Sequence, residues 1–100
     1  MEGHASISGE VLSRYAADAA LGVDGVRGLV ERGLPYRRGV KLETDEGRVK
    51  VELRLAVAWN ASIPRVGREV QACVREYLAR MADVEADVVD VVVDEVGPAS

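Results

Sequence analysis

Arg48-Val49-Lys50-Val51-Glu52-Leu53-Arg54-Leu55-Ala56-Val57-Ala58-Trp59 is the stretch that decides the fold. Successive side chains of an extended chain point to opposite faces. Val49, Val51, Leu53, Leu55, Val57 and Trp59 therefore share one face, and Lys50, Glu52, Arg54, Ala56 and Ala58 share the other. The alternation predicts a strand over 48–59 with one face buried and one wet, the habit of an antiparallel sheet. A one-sided sheet needs a second layer over its apolar face, so amphipathic partners must lie elsewhere in the chain.

Working upstream, Asp45-Glu46-Gly47 reads as a short turn, and Val40, Leu42 and Thr44 alternate with Lys41 and Glu43. Residues 39–45 are thus a second strand, paired to the first through that turn. Before it, Arg32-Gly33-Leu34-Pro35-Tyr36-Arg37-Arg38-Gly39 is rich in turn formers, and residues 25–31 make a further strand. A brief extended segment over 4–8 leads into a helix over 9–21, where Val11, Leu12, Tyr15, Ala16, Ala19 and Ala20 form one stripe. Ser8 suits the N-cap, Ile7 and Leu12 can close a staple across it, and Gly22 is expected to stop the helix in a left-handed conformation.

Downstream, Ile63, Val66, Val70, Cys73, Val74, Tyr77, Leu78 and Met81 follow helical spacing over 63–82. Ser62 caps this helix, and Pro64 falls in a first turn whose N–H groups have no helical partner. A last strand over 86–96 turns Val89, Val91 and Val93 to the core, and Asp90, Val92 and Asp94 outward, with Val92 exposed among acidic groups. The expected fold is α+β, a two-layer sandwich. Two helices pack on one face of a mixed, mainly antiparallel sheet of three to four strands. Residues 1–100 make one domain, with a core over about 5–96.

Composition narrows the function. The chain has 100 residues, 48% of them hydrophobic and 30% charged, which suits a folded globule. The net charge of −4 opposes indiscriminate binding to polyanions such as nucleic acid. No apolar run reaches the roughly 20 residues of a bilayer span, and Met1-Glu2-Gly3-His4 lacks the features of a signal peptide. A cytoplasmic protein is expected, and the single cysteine, Cys73, fits a reducing compartment.

Chemistry-bearing motifs are scarce. His4 is the only histidine, so no multi-histidine metal site and no histidine-based triad can be assembled. Cys73 reads as a small core hydrophobe. Gly22, Gly25 and Gly28 are spaced GxxGxxG, which is neither the dinucleotide fingerprint nor a phosphate loop. Gly25-Val26-Arg27-Gly28 resembles an RNA-clamping GXXG loop, but a strand follows it where two helices should meet. Arg65, Arg68, Arg75 and Arg80 share their helix with Glu69 and Glu76, so its field is largely compensated. No catalytic residue, cofactor or metal is expected.

The pattern as a whole resembles a known family. Ile7-Ser8-Gly9-Glu10-Val11-Leu12, Tyr15-Ala16, Ala19-Ala20 and Gly25-Val26 open it. Gly39-Val40, the alternating strand, Ser62-Ile63-Pro64-Arg65-Val66, Val70-Gln71, Val74, Met81 and Val89-Asp90-Val91-Val92-Val93 continue it. This is similar to the bacterial alkaline shock proteins, or envelope stress response proteins, over about residues 5–96. Departures are Trp59-Asn60 in place of Tyr-Gly and Ala82-Asp83 in place of Thr-Gly.

The resemblance implies a non-enzymatic protein that self-associates or binds a partner, in some cases one anchored in the membrane. The expected interaction surface is a free sheet edge together with Tyr36, Arg37, Arg38 and Val92. Two alternatives stand beside it. One is an RNA-binding module built on Gly25–Gly28 and the nearby arginines, and the other is an accessory subunit of an enzyme.

Overall fold

The computed structural model describes residues 8–31 and 38–98. The chain runs α1 (Gly9–Leu21), β1 (Val26–Leu29), β2 (Val40–Asp45), β3 (Arg48–Ala58), α2 (Ile63–Ala82) and β4 (Val88–Gly97). The extended segment expected over 4–8 and the Ile7 staple fall outside the described residues, Ser8 apart.

β3 is the axis of the sheet. At Leu53 it faces Val40 on one side and Val91 on the other; at Leu55 it faces Leu29 and Val93. A strand has only two edges, so β1 and β2 share one edge of β3 end to end and β4 takes the other. They meet at Arg54, whose N–H donates to Gly39 C=O (3.0 Å) and whose C=O accepts from Val30 N–H (2.9 Å). β1 and β2 run antiparallel to β3, whereas β4 runs parallel to it. The sheet is therefore mixed and mainly antiparallel. The parallel pair follows from the intervening α2, since parallel neighbours need a long crossover.

The β2–β3 turn is a two-residue loop, with Asp45 opposite Arg48. Glu46 (φ 52°) and Gly47 (φ 78°) both lie in the left-handed region, the geometry that matches strand twist in a tight hairpin.

Both helices cover one face of this sheet. α1 starts at Ser8, whose Oγ accepts from Val11 N–H (3.2 Å). Its buried side carries Leu12 and otherwise small residues, Ser13, Ala16, Ala17 and Ala20, which allow close approach. α2 starts at Ser62, whose Oγ accepts from Arg65 N–H (3.3 Å), and it buries Val66, Val70, Val74 and Leu78. These residues join Val40, Val51, Leu53, Leu55, Val57 and Val89 in one core. The helices also meet through Tyr15 and Tyr77, edge to face with ring centres 5.8 Å apart. Asp83 takes a left-handed φ of 55° and ends α2.

Several expectations need correction. Gly22 ends α1 with φ −80°, an ordinary right-handed value, and in the α1–β1 turn it is Gly25 that takes a positive φ (97°). Trp59 lies just past β3 and is 69% exposed rather than in the core. Ile63 and Met81 sit near the centre of the apolar arc of α2 but in its first and last turns, and both are exposed. Cys73 is exposed too. At 100° per residue it lies roughly 80° from the centre of the arc formed by Val66, Val70, Val74 and Leu78. Val92 is half-buried rather than exposed.

Both neighbours of β3 are irregular at the same level. Arg27 is an extra residue in β1 beside Ala56, and Asp94 is an extra residue in β4 at the Leu55–Ala56 step. Each bulge bends its strand and re-aims the extra side chain.

Candidate functional site

Two features can engage another molecule: the outer edge of β4, and a cleft at the end of the sheet where β3 runs out.

The edge follows from the hydrogen-bond ladder. Asp87 N–H donates to Val49 C=O (2.8 Å), and the Asp87 carboxylate accepts from Val49 N–H (2.8 Å), which pins the start of β4 to β3. In a parallel ladder alternate residues address the same neighbour. Arg54 turns both its backbone groups to the β1/β2 edge and Trp59 N–H donates to Gly97 C=O, so the odd-numbered residues of β3 address β4. With Lys50 opposite Val88 and Arg54 opposite Val92, the backbone groups of Val88, Asp90 and Val92 turn toward β3, and those of Val89, Val91 and Val93 turn away. Among the described residues no strand pairs with that outer side. Val88 (39%) and Val96 (46%) are exposed at the two ends of the strand. Trp59 lies next to the Val96 end, its N–H donating to Gly97 C=O at 2.7 Å. An unpaired strand with apolar residues along it is a template for another chain.

The face of β4 away from the helices carries acidic side chains beside Val88 and Val92. Asp90 stands opposite Glu52, and Asp94 reaches Arg54 (3.4 Å) with both groups partly buried. Gln71 on α2 donates to Val89 C=O (3.0 Å), tying the helix to the strand and occupying one acceptor of its outer side.

The cleft has a volume of about 450 Å³. It is lined by Asp24, Gly25, Arg27, Asn60, Ala61 and Arg65, with Val26 and Ala58 beneath. Gly25 makes it possible. A side chain there would meet Ala61 Cβ and Val66 Cγ2 at 2.9 Å, and φ is +97°. Only glycine lets the α1–β1 turn press this closely on the start of α2. Gly25 C=O then accepts from Ala58 N–H (3.0 Å), which fixes the turn to β3.

The residues expected to form an interaction surface are only partly assembled. Tyr36 and Arg37 lie outside the described residues. Arg38 is exposed, has φ 57°, and its N–H donates to the Glu31 carboxylate (2.9 Å). Val92 is paired with Arg54, and Arg54 N–H reaches Gly39 C=O, so Val92, Arg54 and Gly39 form one row across the sheet. At about 4.8 Å per strand, Arg38 and Val92 border the same row roughly 10 Å apart. Arg27, Arg65 and Trp59 were missed as site residues. Only the position of Arg27 inside the GXXG stretch hinted at the cleft, because nothing in the local pattern announces the bulge that aims it.

Among the described residues no three His, Cys, Asp or Glu side chains lie close enough to hold a metal ion. Among the same residues no helix is long and apolar enough to cross a membrane.

A family profile, that of alkaline shock protein 23 with its cell envelope-related function, matches residues 1–98. The chain belongs to this family. A curated relative is the uncharacterized protein YqhY of Bacillus subtilis strain 168, 28% identical over 99 residues, which span 89% of this chain and 73% of YqhY. Solved structures of the MamM CTD share the fold at low identity. A variant in a zinc form aligns with TM-score 0.60 at 16% identity, covering 91% of this chain and 85% of that one. A second variant in a manganese form gives 0.61 at 17%, covering 86% and 96%. A third gives 0.64 at 13%, covering 94% and 98%.

Proposed function

We propose that this member of the family is a non-enzymatic interaction module of the cell envelope stress response. It works by self-association or by binding a partner protein, with the open side of β4 as its contact. The observation that carries the reading is a ten-residue strand, Val88–Gly97, with β3 on one side and, among the described residues, no strand on the other. Backbone pairing along such an edge supplies affinity, and the exposed Val88, Val96 and neighbouring Trp59 supply apolar contact. The cell envelope-related description of the family supports the setting. In this reading the module is cytoplasmic and reaches the membrane surface through a membrane-anchored partner.

Light scattering over a concentration series, followed by affinity capture from native cells, tests this reading. The expected result is a mass above that of the 10.7 kDa monomer, or a specific partner, abolished by Val91→Pro. That change removes an outward N–H while sparing the ladder to β3. A strict monomer with no partner, or association untouched by Val91→Pro in a folded variant, contradicts it.

A further inference from the structure

The cleft at the end of β3 is distinct from the β4 edge and is built around two arginines from separate elements. Arg27 is the bulged residue of β1, and its guanidinium reaches Gly97 of β4. A side-chain carbon at Gly97 would sit 3.1 Å from Arg27 Nη1 and 3.4 Å from Cζ. Arg65, in the first turn of α2, turns its Nη2 over Gly25, 3.7 Å from where a side-chain carbon would sit. Both guanidinium groups thus lie beside glycines, and both arginines contribute to the lining of the same cleft.

The electrostatics of the lining favour an anion. Arg27 and Arg65 outnumber its one carboxylate, Asp24, in a chain whose net charge is −4. Arg65 Nη1 also pairs with Glu69 at 3.0 Å, but both side chains are over 40% exposed, and such surface pairs yield readily. Asn60 adds a polar residue to the lining, and α2 begins three residues later without an acidic residue in its first turn. The positive end of that helix dipole therefore adds to the arginines. A volume of about 450 Å³ is of the size that takes a small molecule.

We propose that this cleft binds a small organic oxyanion, a phosphate or a carboxylate, gripped between Arg27 and Arg65. Guanidinium groups suit both, because their paired N–H donors match the two oxygens of either group. The site does not depend on self-association, and its test is separate from that of the β4 edge.

The test is an NMR titration of the labelled full chain with inorganic phosphate and, in a second arm, with acetate, each against sodium chloride at matched ionic strength. Saturable shifts are expected at the amides of Gly25, Arg27, Ala61 and Arg65. Tighter binding of phosphate assigns a phosphorylated ligand, and tighter binding of acetate assigns a carboxylate. Arg27→Ala and Arg65→Ala should each weaken binding about tenfold or more, the worth of one charge-assisted hydrogen bond. Gly97→Val, which pushes Arg27 off its seat, should weaken it as well. Remote amides that keep their positions show that each variant is folded. Shifts no larger than those with chloride, or binding unchanged in the double arginine variant, overturn the proposal.

Discussion

The two halves of β3 sit in different surroundings. From Arg48 to Arg54 its residues alternate between the core and the wet face, and β2 lies alongside as a hairpin partner. From Leu55 to Ala58 every residue is buried on both faces, with Ala56 at 7% and Ala58 at 6% on the side away from the helices. The first half is a simple amphipathic strand. The second is a crossroads where the bulge of β1, the bulge of β4, the Gly25 turn and the start of α2 converge. Alanine on the outward face lets them come this near. The hairpin half sets register, whereas the crossroads half holds the arrangement from which the cleft is built.

This contrast predicts that substitutions around Leu55–Ala58 cost far more than those near the hairpin. Gly25→Ala is the most severe. It forces a left-handed backbone, at about 1–3 kcal/mol, and a clash with Ala61 and Val66 of comparable size. Urea unfolding should register the sum. Leu55→Ala, at a fully buried position, should cost about 3 kcal/mol in the same assay. Ser62→Ala removes the cap of α2 and should cost about 1 kcal/mol, with Ser62→Asp restoring most of it. At the hairpin end the sign reverses. Glu46→Asn relieves a left-handed glutamate and should raise stability by about 0.5 kcal/mol. Smallest of all is Glu43→Gln, which breaks an exposed pair with Lys41 (3.3 Å) and should change the midpoint by less than about 0.5 kcal/mol. A Glu43→Gln effect matching that of Leu55→Ala would mean that the two halves are not distinct.

The same division explains what the sequence disclosed. Both helices begin and end where their periodicity and serine caps place them, and the hairpin half of β3 shows its alternation openly. The crossroads half is harder to read. A bulge moves the phase by one residue without a local signal, so Arg27 and Asp94 look like ordinary strand positions. Periodicity also assigns a residue to a face without saying whether that face is covered there. Ile63 and Met81 follow the helical stripe yet stay exposed, and Trp59 continues the alternation of β3 past the point where the strand stops. The cleft was illegible because it joins residues from three elements. Of the surface expected around Arg38 and Val92, the structure supplies a shared row across the sheet but not an exposed valine.

The central claim is that the outer side of β4 is where other molecules attach. Hydrogen exchange at the amides of Val89, Val91 and Val93, followed as protein concentration or captured partner is raised, tests it most directly. These amides should exchange quickly in dilute protein and slow as complexes form, while Asp90 and Val92 stay protected throughout. Complexes that form without any slowing at Val89, Val91 and Val93 would contradict the account.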